Sequence, residues 1–174
     1  MNIYLVGYMY CGKTTLGRQL AHRLGLPFAD TDQIVEQRYH TSIPILFKKY
    51  GEAAFRKIEQ QVLHDTLPSP ADSSDLVVAT GGGTPCFEDN MDWINSHGRS
   101  IYLKMSVEAI CARASHAKKV RPLLAQLNEN DRCRFVASQM AEREHYYCRA
   151  HIIFPALNPN VEELLTRLRE CDDL

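Results

Sequence analysis

One short stretch near the start of the chain limits its possible folds more than any other. Residues 7–15 read Gly-Tyr-Met-Tyr-Cys-Gly-Lys-Thr-Thr, which fits the pattern G-x-x-x-x-G-K-[ST]. The apolar run 3–6 precedes it, and Leu16, Leu20 and Leu24 follow at helical spacing. A strand before this pattern and a helix after it are typical of a phosphate-binding loop. We therefore predict a P-loop; the simpler alternative is a glycine turn followed by a surface lysine.

The same residues predict how the loop would hold a nucleotide. Backbone N–H groups that turn inward at a helix N-terminus bind polyphosphate oxygens. We expect Lys13 to reach the β- and γ-phosphates and the Thr14 hydroxyl to bind Mg²⁺. The candidate nucleotide-binding residues here are Gly7, Tyr10, Cys11, Gly12, Lys13, Thr14 and Thr15. Two interpretations of Cys11 stay open, a reactive thiolate at a helix N-terminus or a buried inert thiol.

Length and charge exclude several classes of protein. A chain of 174 residues fits one domain, and its net charge of −1 gives no general attraction for nucleic acid or an anionic membrane. The sequence contains no leader pattern and no apolar run of about eighteen residues. Its six cysteines form no C-x-x-C pair, so we interpret them as reduced thiols. We expect a cytoplasmic protein with neither nucleic acid nor membrane as a partner.

Two carboxylates follow the first helix, which we predict over residues 13–24 with its end at Gly25. Asp30 and Asp32 should end a short strand, before a helix that begins near residue 33. In an extended segment they would point to opposite sides, one toward metal and phosphates and the other toward an acceptor hydroxyl. The alternative makes Asp32 the N-cap of the next helix.

Arg56 and Glu59 are neighbours on one face of a helix predicted over residues 52–67, after a shorter helix that ends near Gly51. Such spacing is most often a surface ion pair. The alternative is a carboxylate that orients a ligand-binding guanidinium.

Two further segments are candidates for the site. Gly81, Gly82 and Gly83 follow the buried strand 76–79, where their backbone amides could approach a ligand closely; the alternative is a flexible loop. Residues 114–124 are basic and weakly patterned. We interpret them as a lid that folds over the nucleotide, with Arg121 as its main cation, or alternatively as a solvated basic surface.

The order of the elements predicts the architecture. Strands alternate with helices to the end of the chain, where helix 129–149, strand 151–154 and helix 161–169 follow. This pattern predicts an α/β domain with a parallel sheet and right-handed crossovers. The P-loop, the two aspartates and the three glycines should then meet at the carboxyl ends of the strands.

Taken together, the motifs resemble those of the shikimate kinase family across nearly the whole chain. They are Gly7 to Thr15, Asp30-Thr31-Asp32, Phe55-Arg56, Gly81-Gly82-Gly83, Arg121-Pro122-Leu123-Leu124, and Arg143 with Tyr147. The resemblance implies the three-layer fold of the nucleoside-monophosphate kinases, with parallel strands in the order 2-3-1-4-5 and helices on both faces. It also implies transfer of the γ-phosphoryl group of MgATP to the 3-hydroxyl of shikimate, in aromatic amino-acid biosynthesis.

The resemblance assigns roles on the acceptor side of the site. Asp32 matches the residue that binds the substrate hydroxyls and orients or deprotonates the nucleophile. Arg56 and Arg143 match the two guanidiniums that bind the substrate carboxylate, and Gly82 matches a backbone donor. Glu59 then becomes the residue that positions Arg56, with residues 33–62 as the substrate-binding helical region.

The resemblance also assigns roles on the nucleotide side. Asp30 lies near the metal through water, and Arg121 contacts the ATP phosphates. Arg113 matches a residue that stacks on adenine. Tyr10 departs from the family pattern, since glycine is usual at this position and a side chain there can crowd the phosphates.

Two other functions stay open at the level of sequence. One is a kinase for another small anionic hydroxy compound, such as gluconate. The other is a nucleotide-binding module without catalysis, an idea that Tyr10 keeps open. We expect a monomer in each case.

Overall fold

A parallel β-sheet forms the centre of the molecule. A computed structural model describes residues 1–66, 75–117 and 127–172. Within these ranges the strands are β1 (Asn2–Val6), β2 (Phe28–Asp30), β3 (Val77–Ala79), β4 (Gly98–Lys104) and β5 (Ile152–Pro155). All neighbouring pairs are parallel, in the order β2-β3-β1-β4-β5. The predicted strand order is confirmed.

The helices follow the predicted order with small shifts of their ends. They are α1 (Lys13–Leu24), α2 (Thr31–Tyr39), α3 (Ile43–Asp65), α4 (Asn90–His97), α5 (Val107–Ser115), α6 (Glu129–Tyr147) and α7 (Val161–Asp172), with a 3₁₀ turn at Thr84–Cys86. α1 stops at Gly25, which takes the left-handed conformation (φ 67°) of a C-terminal cap. α3 contains a non-helical residue at Gly51 (φ 79°), the position where the sequence predicts a break.

The sheet is buried because its central strands are continuous apolar runs. Tyr4, Leu5 and Val6 in β1 are 0% exposed, and the apolar side chains of Leu5 and Val6 each contribute roughly 1.5–3 kcal/mol by leaving water. A smaller apolar cluster joins α2 to α3 and consists of Val35, Leu46, Phe55 and Val62. This cluster supports the helical region from which Arg56 extends. Within the described residues, no helix combines the length and apolarity needed to cross a membrane.

The junction of β2 and α2 corrects two predictions. β2 ends at Asp30 and α2 begins at once at Thr31, earlier than expected. Asp30 is the N-cap, because its Oδ1 accepts hydrogen bonds from the backbone N–H groups of Asp32 (3.0 Å) and Gln33 (3.3 Å). Asp32 is therefore not the cap. Nor do the two acids face opposite sides of an extended segment, since Asp32 lies in the first helical turn.

Candidate active site

The P-loop has the strand, loop and helix geometry that the sequence predicts. Gly7 (φ 139°) and Gly12 (φ 93°) take positive φ values, and Gly12 caps α1. A Cβ atom at Gly7 would lie 3.0 Å from the Leu103 carbonyl oxygen, so only glycine fits there. Lys13 Nζ donates hydrogen bonds to the carbonyl oxygens of Gly7 (2.7 Å) and Tyr8 (2.9 Å). The ammonium group thus lies over the backbone of its own loop.

The backbone conformation of Tyr10 explains why glycine is usual at this position of the loop. Its φ of 65° is in the left-handed region, which costs a residue with a Cβ about 1–2 kcal/mol. Arg113 of α5 donates hydrogen bonds to the carbonyl oxygens of Tyr10 (3.1 Å) and Ala156 (3.2 Å). The Arg113 guanidinium therefore links the loop to the residue after β5, and the stacking of Arg113 on adenine stays a prediction.

The remaining loop residues differ in accessibility. Cys11 is only 1% exposed, which favours the buried, inert thiol over a reactive one. Thr15 is exposed, in the first turn of α1.

Thr14 and Asp30 bring oxygen donors together beside the loop. Thr14 Oγ1 donates a hydrogen bond to Asp30 Oδ2 at 2.7 Å, while the other oxygen of Asp30 caps α2. A hydroxyl beside a carboxylate provides the hard donors that Mg²⁺ prefers. In the part of the chain that the structure describes, no three His, Cys, Asp or Glu residues form a metal-binding group. A cation at this position would take most of its ligands from phosphates and water.

Arg56 and Glu59 form a buried pair, so the surface interpretation of their spacing is wrong. Glu59 is 4% exposed and the Arg56 side chain 14%. The Glu59 carboxylate accepts a hydrogen bond from the Arg56 guanidinium, and its Oε1 accepts another from Thr84 Oγ1 at 3.0 Å. Glu52, on the previous turn, is also paired with Arg56, at 3.4 Å. The guanidinium is held from two sides.

The electrostatics of this pair follow from its burial. Burial raises the pKa of Glu59; Arg56 opposes the shift, and the nearby carboxylate of Asp32 adds to it. Burial alone would lower the pKa of Arg56, but Glu59 and Glu52 outweigh it, and the pKa of Arg56 is raised. Arg56 therefore stays charged in the site.

The three glycines are the place where the functional side chains meet. A Cβ at Gly81 would lie 2.6 Å from both Asp32 Oδ1 and Glu59 Oε1. A Cβ at Gly83 would lie 2.5 Å from Arg56 Cζ. Since real Cβ atoms essentially never approach so closely, a side chain at either position would displace the two carboxylates or the guanidinium from where they now lie.

Hydrogen bonds fix the same segment, so the flexible-loop alternative is wrong. The Gly81 N–H donates to Thr31 Oγ1 at 3.0 Å, and the Tyr147 hydroxyl donates to the Gly82 carbonyl at 2.5 Å. A Cβ at Gly82 would lie 3.3 Å from the backbone nitrogen of Met9 in the P-loop. The glycine segment therefore packs directly against the phosphate-binding loop.

A second guanidinium lies across the site on α6. Arg143 Cζ is 5.8 Å from the centre of the Tyr8 ring. Arg143 and Arg56 line one cavity of about 450 Å³, within the usual size range of small-ligand sites. Its other lining residues are Glu52, Gly83, Cys86, Phe87, Glu142 and Tyr146. Burial raises the pKa of Cys86 to about 11, so this thiol is neutral at pH 7.

The structure brings together most of the predicted site residues and adds others. Residues 118–126 lie outside the described ranges, so the lid cation Arg121 and most of the candidate lid are not among the residues placed here. Sequence reasoning missed Tyr8 and Thr84. Each acts through a contact with a residue distant in sequence, and nothing in the pattern predicts that contact; Thr84 stands out only as the residue after the three glycines.

Comparisons with known proteins identify the family of this chain. A family model described as shikimate kinase matches residues 9–172. A shikimate kinase from Parabacteroides distasonis is 41% identical over 164 residues, which cover 94% of this chain and 90% of the relative.

Solved structures give the same family. The shikimate kinase from Bacteroides thetaiotaomicron has a TM-score of 0.89 at 36% identity and covers 100% of this chain and 99% of its own. The shikimate kinase from Acinetobacter baumannii, solved in complex with shikimate, has a TM-score of 0.81 at 34% identity. The match covers 98% of this chain and 91% of that kinase. A gluconokinase from Sinorhizobium meliloti, 14% identical with a TM-score of 0.51 over 93% of this chain and 85% of its own, shares the fold alone.

Proposed function

The chain belongs to the shikimate kinase family, and we propose that the cavity between Arg56 and Arg143 is where it binds shikimate. The protein is an ATP-dependent kinase that phosphorylates shikimate at the 3-hydroxyl, giving shikimate 3-phosphate and ADP on the route to the aromatic amino acids. One observation supports the location of the site above all others. Both arginines line one cavity beside a glycine segment that packs against the P-loop.

The two arginines bind the carboxylate of the acceptor. A guanidinium presents parallel N–H donors that match a carboxylate, and such bonds are shorter and stronger than neutral ones. Glu59 and Glu52 hold Arg56 in place and keep it charged. The backbone N–H groups of Gly82 and Gly83 supply further donors, whereas the N–H group of Gly81 is already bonded to Thr31 Oγ1.

Asp32 acts on the hydroxyl that becomes phosphorylated. Its carboxylate lies against Gly81, close to the carboxylate of Glu59. From the first turn of α2 it orients the 3-hydroxyl and accepts its proton as the phosphoryl group arrives. The protein does little covalent chemistry in this role, since phosphoryl transfer depends mainly on positioning and charge.

The P-loop holds the nucleotide. The backbone N–H groups from Gly7 to Thr15, including those of Tyr10, Cys11 and Gly12, bind the phosphate oxygens at the N-terminus of α1. Lys13 exchanges its hydrogen bonds to the loop carbonyls for bonds to the β- and γ-phosphates. Arg121, from the basic segment after α5, adds positive charge to the transferred group.

Thr14 and Asp30 are the residues that would hold Mg²⁺. Their oxygens are 2.7 Å apart beside the loop, and a hydroxyl with a carboxylate would supply the oxygen donors that Mg²⁺ prefers. When bound, the ion neutralises charge on the β- and γ-phosphates. The capping bonds that Asp30 accepts from α2 keep its carboxylate turned toward Thr14.

Initial rates of ADP release, measured over a range of acceptors, test this assignment. We expect turnover with shikimate and little with gluconate, a flexible anion that two fixed guanidiniums fit poorly. Arg143→Ala should raise the KM for shikimate strongly and leave the KM for ATP nearly unchanged. Equal loss of affinity for both substrates would contradict the proposed role of Arg143.

At the level of the whole chain we propose a cytoplasmic monomer with one domain. The six cysteines are all free thiols, as expected in a reducing compartment. Light scattering at micromolar concentration tests the oligomeric state, and a stable dimer would contradict this part of the proposal.

A further inference from the structure

Tyr8 is a buried aromatic residue of the P-loop that the proposed chemistry does not use. It directly follows Gly7 and comes two residues before Tyr10, both of which have a positive φ, and it is only 1% exposed. A loop that binds phosphate through its backbone needs no aromatic side chain at this point. Besides its packing in the core, the side chain makes two contacts on the acceptor side of the site.

Two contacts connect Tyr8 to α6. The Tyr8 hydroxyl donates a hydrogen bond to Gln139 Oε1 at 2.6 Å. The Arg143 guanidinium carbon lies 5.8 Å from the centre of the same ring. Gln139 and Arg143 are four residues apart and so lie on one face of the helix. The bond to Gln139 anchors the far end of the ring, and the ring then supports the guanidinium one turn further along.

We propose that Tyr8 is a positioning residue, which holds the Arg143 guanidinium in the orientation that binds the carboxylate of the acceptor. This inference rests on the proposed function of Arg143. A cation within about 6 Å of an aromatic centroid is attracted by the negative face of the ring. Arg143 is a long side chain that loses considerable rotamer entropy when it is fixed. A ring that fixes it in advance therefore lowers the cost of binding.

Tyr8 also has a plain structural interpretation, because any buried aromatic residue contributes to the core. The two interpretations differ in what they predict for Arg143. If Tyr8 only fills space, its effects on stability and activity are independent of Arg143. If Tyr8 acts through Arg143, its effect on shikimate binding disappears once the guanidinium is removed.

Replacement of the ring is the first test. Tyr8→Leu should raise the KM for shikimate about 3- to 30-fold, with a smaller effect on kcat. Tyr8→Phe keeps the ring and should recover most of the affinity. In an Arg143→Ala background, Tyr8→Leu should cause no further rise in this KM. A further rise of the same size in that background would overturn the proposal.

A second series of variants tests the proposal even if Tyr8→Leu does not fold. Phenylalanine and its mono-, di- and trifluorinated analogues, incorporated at position 8, keep the shape of the ring while weakening its negative face. The logarithm of the shikimate KM should rise steadily with fluorination, and the trend should vanish with Arg143→Ala. If the shikimate KM does not change with fluorination while Arg143→Ala still raises it, the role of Tyr8 is refuted and the proposed function is not. If Arg143→Ala leaves the shikimate KM unchanged, the proposed function itself is refuted.

Discussion

Replacing Glu59 by glutamine tests how the site holds Arg56. Glu59 is 4% exposed and accepts hydrogen bonds from Arg56 and from Thr84, the latter at 3.0 Å. Glutamine keeps the size and an acceptor for Thr84 but removes the negative charge. Losing one partner of a buried ion pair costs about 3–5 kcal/mol, and a hydrogen bond to a charged group about 1.5–3 kcal/mol. Because the Arg56 side chain is 14% exposed and lines the cavity, we expect Glu59→Gln to cost an amount in the lower of these two ranges, about 1.5–3 kcal/mol.

That energy is the upper limit of what shikimate binding can lose, because the remaining part lowers the free energy of unfolding instead. At about 1.4 kcal/mol per factor of ten, it corresponds to a rise of roughly 10- to 150-fold in the shikimate KM. Initial rates at saturating ATP measure this KM, and urea unfolding measures stability in parallel. We expect the KM for ATP to stay nearly unchanged, since Glu59 lies on the acceptor side.

Glu52→Gln is the matched control. It makes the same charge change at a side chain one turn before Arg56, which is 67% exposed and 3.4 Å from the same guanidinium. Exposed ion pairs contribute about 0.2–1 kcal/mol, so its KM for shikimate should rise less than about fivefold. Equal effects for Glu52→Gln and Glu59→Gln, or an unchanged KM in Glu59→Gln, would refute the positioning role.

Three further predictions test other parts of the structure. Lys13→Met should lower kcat by about 10²–10³ through loss of a cation at the transferred group, while circular dichroism stays as in the wild type; full activity would refute the phosphate-cradle assignment. Gly83→Ala places a methyl group 2.5 Å from Arg56 Cζ, so the shikimate KM should rise at least about fivefold, equivalent to about 1 kcal/mol; an unchanged KM would mean that Arg56 has room to move. Burial, and then Arg99, lowers the pKa of His151, whose Nδ1 accepts a hydrogen bond from the Ser100 N–H at 3.2 Å. The unfolded state therefore binds more protons, so the urea midpoint of the wild type, measured relative to that of His151→Asn, should fall as pH drops below 6.5. A difference between the two midpoints that does not change with pH would contradict the lowered pKa.

The sequence predicts the fold well because the fold depends on local signals. The parallel sheet follows from the alternation of buried strands and helices, whereas its strand order is implied by the resemblance to the shikimate kinase family. Gly25 and Gly51 end or interrupt helices where the pattern predicts. The aspartate pair is the exception. Asp30 and Asp32 both fit an N-cap by residue type, and only the backbone shows that the strand ends at Asp30 and the helix begins at the next residue.

The site is predictable only where a motif names its residues. Arg56 and Glu59 have the spacing of a surface pair, and nothing in that spacing predicts the hydrogen bond that buried Glu59 accepts from Thr84, 25 positions further along the chain. The contact of Tyr8 with α6 joins residues more than 130 positions apart, since the Tyr8 hydroxyl bonds to a side chain with a sequence separation of 131. Periodicity and spacing carry no information on such contacts.

The central claim is that Arg56 and Arg143 together bind the carboxylate of shikimate. The most direct test compares kcat/KM for shikimate with that for its methyl ester, which keeps the ring and hydroxyls but carries no charge. The wild-type enzyme should prefer the acid by at least about 10²-fold, as expected for two charge-assisted contacts. In the Arg56→Ala, Arg143→Ala double variant this preference should fall close to one. A double variant that retains the wild-type preference would contradict the account.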